Sequence, residues 1–137
     1  AKQTGPEEQF VEFLEGSKRV KWWFKNGESD PRYFAVLRTD DAAFYPDFIV
    51  QFEDGKIGIF DTKSGITARD AKQRAEGLQR YIKEQVKKGR KLWGGIVISK
   101  DGSFRYNDAE KYSFNEKLLG TDWKILTFDR PVSVKAA

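Results

Sequence analysis

The stretch Tyr45-Pro46-Asp47-Phe48-Ile49-Val50-Gln51-Phe52-Glu53-Asp54-Gly55-Lys56-Ile57-Gly58-Ile59-Phe60-Asp61-Thr62-Lys63 decides the fold. Two runs rich in Val, Ile and Phe flank an acidic turn at Glu53-Asp54-Gly55, so they read as the two strands of a hairpin. Each run carries an aspartate at the end far from the turn, and Lys63 follows the second aspartate by two positions. Loop length sets where these groups point. A three-residue loop puts Gly55 in the left-handed position that closes a bulged hairpin, pairs Phe52 with Lys56 and sets Asp47 opposite Asp61. Opposed residues share a face with Cβ atoms about 5 Å apart. Lys63, two residues on, shares that face too. A two-residue loop would set Asp47 opposite Thr62 and send the aspartates to opposite faces. Turn preferences favour the three-residue loop.

Two carboxylates side by side repel each other. Such a pair is tolerated where a cation sits between its members or where one stays protonated. Hard oxygen ligands suit Mg²⁺ or Mn²⁺. The plainer alternative is that Lys63 neutralises the aspartates at the rim of a sheet and does nothing more.

Working outward, residues 1–137 are the right length for a single domain with its own core, and 15% aromatic content excludes a disordered tail. No apolar run approaches the ~20 residues that span a bilayer, and no signal-peptide pattern opens the chain. There is no cysteine, hence no disulfide and no thiolate metal site, which fits a reducing cytosol, and a cytoplasmic location is expected. There is no histidine either, which removes the commonest general base. Catalysis by Ser-His-Asp or Cys-His is therefore excluded, leaving carboxylates, lysine, tyrosine or a hydrated hard metal. The chain does not start with Met, so a processed chain or a piece of a larger protein is expected. Net charge is +4, but residues 63–91 hold ten Lys/Arg against three Asp/Glu, or +7, leaving −3 for the remainder. A basic segment beside paired carboxylates suggests an anionic substrate that meets a metal.

The rest of the chain reads as follows. Thr4-Gly5-Pro6 opens a helix with Phe10, Val11 and Leu14 as its apolar stripe, and Gly16 ends it. Glu7 lies on that stripe by spacing. It either complements the helix N-terminus or projects toward the carboxylate site. Val20-Lys21-Trp22-Trp23-Phe24-Lys25 is a strand, Asn26-Gly27 a turn, and residues 33–38 a second strand, with Asp40 and Asp41 as turn residues after it. The first strand of the central hairpin is apolar on both faces, so it is expected inside the sheet. Thr67 is expected to cap a long helix, with Asp70 three residues on. Ala71, Ala75, Leu78, Ile82 and Val86 would form its buried stripe, and Gly89 its stop. Its outer faces carry Arg69, Lys72, Arg74, Arg80, Lys83, Lys87 and Lys88. A solvated face explains such charge, but the bias to one sign suits phosphate contacts. Gly95-Ile96-Val97-Ile98-Ser99 is a buried strand that turns at Asp101-Gly102 into Phe104-Arg105-Tyr106. Residues 107–120 read as a short polar helix, residues 123–128 as a last strand, and Pro131 as the start of a loose tail. The expected class is α/β, a mixed central sheet with helices on its faces.

At Pro46-Asp47 and Asp61-Thr62-Lys63 the sequence resembles the PD-(D/E)xK nuclease superfamily. The pattern alone is short, but its setting adds weight: a hairpin carries it, a helix with an acid precedes it, and a basic amphipathic helix follows. The resemblance covers roughly residues 6–99 and implies a restriction-endonuclease-like core of order α-β-β-β-α-β. Trp22-Trp23-Phe24-Lys25-Asn26, Tyr45-Pro46-Asp47-Phe48-Ile49-Val50 and Asp61-Thr62-Lys63 look most like the C-terminal endonuclease domain of type III restriction enzymes and helicase-linked nucleases. Asp61 stands where glutamate is common. The helix after Lys63 lacks the Gln-xxx-Tyr arrangement of the RecB-like branch, since Gln79 and Tyr81 are too close.

The resemblance implies an Mg²⁺- or Mn²⁺-dependent endodeoxyribonuclease. Asp47 and Asp61 would hold the metal with the Thr62 backbone carbonyl, and Glu7 would complete the site directly or through water. Lys63 would orient or deprotonate the attacking water. Arg69, Lys72, Gln73 and Arg74 would meet DNA. No reading helix, zinc site or phosphate-cradling glycine loop is present, so a helicase/ATPase or modification domain or subunit is the expected partner, with a homodimer allowed. The alternative is a catalytically inactive DNA- or protein-binding module of the same fold. Nothing in DNA binding, however, needs adjacent carboxylates facing a polyanion.

Overall fold

A computed structural model describes residues 5–27, 34–63, 68, 70–100, 102–114 and 123–128. Its elements are α1 (Gly5–Glu15), β1 (Val20–Lys25), β2 (Val36–Leu37), β3 (Ala43–Phe44), β4 (Phe48–Phe52), β5 (Ile57–Thr62), α2 (Lys72–Lys87), β6 (Leu92–Lys100), β7 (Ser103–Asn107) and β8 (Trp123–Ile125). Six strands form one sheet in the order β1-β4-β5-β6-β7-β8. Only β5 and β6 run parallel within it, joined by the crossover through α2. The sheet is mixed, as expected, and β4 lies inside it between β1 and β5.

The hairpin register is the one the three-residue loop dictates. Phe48 pairs with Phe60, Ile49 with Ile59, Val50 with Gly58 and Gln51 with Ile57. At the turn, the Phe52 N–H donates to the Lys56 carbonyl at 2.9 Å, and Gly55 has φ +88°. Continued outward, this register places Asp47 opposite Asp61.

Alternation along these strands sorts the core into two layers. Phe48, Val50, Phe52 and Phe60 point to one face, where they meet Phe10 and Leu14 of α1 together with Trp93, Val97 and Phe128. The Phe10 ring lies 5.0 Å from that of Phe48 and 5.6 Å from that of Phe60. Ile59, Ile96 and Ile98 point to the other face, under Ala75, Leu78 and Ile82 of α2. At β6 the sheet closes tightly on itself. A Cβ on Gly94, which has φ +138°, would sit 2.0 Å from the Ile59 carbonyl oxygen, so the parallel pairing there requires glycine.

Four expectations are corrected. The strand expected over residues 33–38 does not join the main sheet. Val36 and Leu37 instead pair with Phe44 and Ala43 in a separate two-stranded ribbon packed against α2. The physical reason is local and tertiary at once. Asp41 takes a left-handed conformation (φ 66°) that folds the chain straight back, and α2 approaches so closely at Gly77 that a Cβ there would lie 2.2 Å from the Leu37 carbonyl oxygen. Second, α2 starts at Lys72, after Ala71, with no side-chain cap, and Asp70 lies in the turn before it. The expected cap Thr67 falls outside the described residues. Third, no polar helix forms over residues 108–114. Asn107 ends β7, and the following segment is pinned by Tyr112, whose hydroxyl donates to the Ala68 carbonyl at 2.6 Å. Fourth, β8 ends at Ile125, though the Leu126 N–H still donates to the Phe104 carbonyl at 2.9 Å. The remainder of residues 107–120 and the tail from Pro131 lie outside the described residues. No helix among the described residues is long and apolar enough to cross a membrane.

Candidate functional site

The regular β4·β5 ladder stops at the Phe48–Phe60 pair, and the candidate site begins where it stops. Beyond that pair, side chains replace the backbone bonds. The Asp47 N–H donates to Asp61 Oδ1 at 3.2 Å. The Thr62 N–H and hydroxyl both donate to Asp47 Oδ2, at 2.9 and 2.8 Å. On the other side of β4, the Asn26 N–H donates to the Asp47 carbonyl at 2.7 Å. Asn26 is itself buried, and its side chain bonds both the N–H and the carbonyl of Phe34. Asp47 is thereby held between two strands, and one oxygen of each carboxylate is committed to holding the pair together.

Asp61 is buried, with only 2% of its surface exposed. Its second oxygen, Oδ2, lies 3.0 Å from the Lys63 ammonium. That ion pair is the close contact that partners Oδ2, which is otherwise enclosed by the protein. Burial pushes the Asp61 carboxyl up to about 7, and the Asp47 charge adds to the effect, while Lys63 and then Arg74 pull it back. The side chain of Lys63 is 15% exposed, and its N–H is anchored to the Val97 carbonyl at 2.9 Å. This arrangement keeps the ammonium at the mouth of the site rather than free in solvent.

Asp47, Asp61, Lys63 and Arg74 line one open cleft of about 230 Å³, together with Ala43, Phe44 and Tyr45 from the ribbon side. The sequence reading singled out the four charged residues, and the structure brings them together. It gave no role to Tyr45. The one available signal was its place directly before Pro46-Asp47.

The other candidates fall elsewhere. Glu7 pairs with Lys25 at 3.3 Å. Lys25 stands opposite Phe48 and over its ring, so this ion pair sits on the α1 face and Glu7 does not line the cleft. Among the described residues no three Asp, Glu, His or Cys side chains gather into a metal-binding group. Lys72 is exposed and bonds Glu76 at 2.6 Å. The Gln73 side chain is exposed, and its carbonyl accepts from the Thr39 N–H at 3.2 Å, which ties α2 to the ribbon. Arg69 lies outside the described residues. Gln79 is buried and donates to the Gly94 carbonyl at 2.9 Å, so it supports β6 rather than the cleft.

No family model matches the chain, and neither curated proteins nor solved structures give a match.

Proposed function

We propose that this chain is a metal-dependent DNA endonuclease domain with a restriction-endonuclease-like core, the cutting module of a restriction or helicase-nuclease system. One observation carries the reading: two aspartates from adjacent strands are locked together at the open end of a hairpin, with a lysine 3.0 Å from the more buried one. The order α1-β1-β4-β5-α2-β6, with the β2–β3 ribbon as an insertion, supports the core α-β-β-β-α-β.

The donor set fits a hard divalent cation. It offers the carboxylate oxygens of Asp47 and Asp61, and burial with the Asp47 charge keeps the Asp61 carboxyl raised despite Lys63 and Arg74, so further positive charge favours its ionised form. Asp47, Asp61 and the Thr62 carbonyl would hold Mg²⁺ or Mn²⁺, which when bound supplies Lewis-acid polarisation of the phosphate and a more acidic water. The protein residues do the rest. Thr62 and Asn26 fix Asp47. Lys63 Nζ orients the attacking water and offsets the charge that builds on the phosphate oxygens as water adds and the P–O bond to the leaving strand breaks. Arg74 meets the diester anion from α2. Sequence recognition and any ATP-driven motion fall to other domains or subunits.

A second reading has Lys63 merely neutralising Asp61, and the lack of a third acid grouped with the pair among the described residues favours it. Nicking of supercoiled plasmid separates the two. Metal-dependent cleavage lost in both Asp61→Ala and Lys63→Ala is the expected result. No cleavage, together with no Mg²⁺ or Mn²⁺ binding by isothermal titration, leaves the structural ion pair.

A further inference from the structure

The strand β1 forms one edge of the sheet. Its register sorts its aromatic residues. Trp23 pairs with Val50 and packs into the α1-side core, 6.1 Å from Phe48. Trp22 and Phe24 pair with Gln51 and Ile49, so they point to the opposite face, the one that carries α2 and the cleft. Both are 44% exposed and, among the described residues, belong to the few large apolar side chains left in solvent. A buried role explains Trp23 and leaves Trp22 and Phe24 unexplained.

Three further observations say what would cover them. Three exposed cations, Lys18, Arg19 and Lys21, lead into the strand, of which Arg19 also lines the α1-side hollow beside Glu53 and Asp54. The row also leads to the site. Phe24 sits one residue pair before Lys25–Phe48, and the next position, Asn26, donates to the Asp47 carbonyl. Last, residues two apart on a strand lie about 6.6 Å apart, roughly twice the 3.4 Å rise per nucleotide of a stacked strand. Two rings at that spacing suit bases that have been pulled apart, not a stacked duplex. Exposed rings with cations at the head of the strand make a surface for single-stranded nucleic acid, because every base has a π-face and the phosphates need only charge.

We propose that Trp22 and Phe24 form a stacking platform for unpaired bases, which delivers single-stranded DNA, as a frayed end, flap or gap, to the Asp47–Asp61 cleft. The delivery rests on the nuclease reading, whereas the binding does not. The test therefore measures binding in EDTA, where no cleavage occurs. Labelled oligothymidylate and a duplex of the same length are titrated with the protein, and polarisation and tryptophan fluorescence are followed. Trp93 and Trp123 are buried and Trp23 half-buried, so quenching reports chiefly on Trp22. The wild type is expected to bind the single strand more tightly than the duplex, with quenching. Trp22→Ala and Phe24→Ala should each weaken single-strand binding about fivefold or more. Trp22→Phe should keep most of the affinity and lose most of the quenching. Equal affinity for duplex, or unchanged single-strand binding in the double alanine variant, overturns the platform. Plasmid nicking by the wild type is scored separately. Nicking without a platform effect refutes the platform alone. A platform effect without nicking or metal binding refutes the nuclease alone.

Discussion

Replacing Asp61 by asparagine should make the metal-free protein more stable, and only above acidic pH. The Asp61 carboxyl is raised from 3.8 to about 7, first by burial and then by the Asp47 charge. An acid whose folded pKa exceeds its unfolded one binds more protons folded than unfolded. Stability must then fall as pH rises from about 4, and the loss is complete above about 7. The gap between 3.8 and about 7, at about 1.4 kcal/mol per pH unit, is on the order of 4 kcal/mol. Asparagine keeps an oxygen to accept the Asp47 N–H but removes the partner of the largely buried Lys63 ammonium, which offsets part of the gain. A net gain of about 2 kcal/mol at roughly pH 8 is expected, shrinking to near zero by about pH 4. Urea denaturation in EDTA across this range measures it. Millimolar Mg²⁺ should raise the wild-type midpoint and leave Asp61→Asn unmoved. An Asp61→Asn protein less stable than wild type at pH 8, or one with the same pH profile, would refute the reasoning, because the carboxylate would then be a net stabiliser.

Two further substitutions probe the frame of the site. Thr62→Val keeps shape but removes the hydroxyl donor to Asp47 Oδ2, and should cost about 1.5–3 kcal/mol, the usual worth of a hydrogen bond to a charged group; unchanged urea stability would show that the backbone N–H alone holds Asp47. Gly94→Ala places a Cβ 2.0 Å from the Ile59 carbonyl oxygen in a left-handed backbone, and a loss on the order of 4 kcal/mol or outright failure to fold is expected; a well-folded, stable Gly94→Ala protein would mean that β5 and β6 are not so tightly paired.

What could be read from the sequence was what local chemistry dictates. The Gly55 turn and the alternation of Phe48, Val50 and Phe52 fix the register, and the register places Asp47 by Asp61. The stripe from Ala71 through Ile82 marks the buried face of α2, and Gly89 (φ +89°) stops it. What could not be read depends on partners distant in the chain. The run at residues 33–38 has the composition of a sheet strand, and only the approach of Gly77 to Leu37 and the grip of Asn26 on Phe34 turn it into a ribbon. Spacing puts Glu7 on the inner stripe of α1, but its partner Lys25 is set by the β1·β4 pairing, which contains a bulge between Val20 and Trp22. The Thr62 hydroxyl bond to Asp47 exists because the ladder gives out at that point, and no periodicity announces where a ladder ends.

That ending bears on what the site is for. If the hairpin needed only a well-bonded terminus, an asparagine or threonine at position 61 could accept the Asp47 N–H without placing a second carboxylate beside the first. Asp61 instead buries a second carboxylate beside the first, with Oδ2 held against the Lys63 ammonium. Lys63 sits 3.0 Å away and Arg74 also pulls the carboxyl down, yet burial and the Asp47 charge keep it raised to about 7. The arrangement is short of positive charge in its resting form. On the proposed nuclease reading a divalent ion in the cleft would supply that charge, which a purely structural pair does not call for.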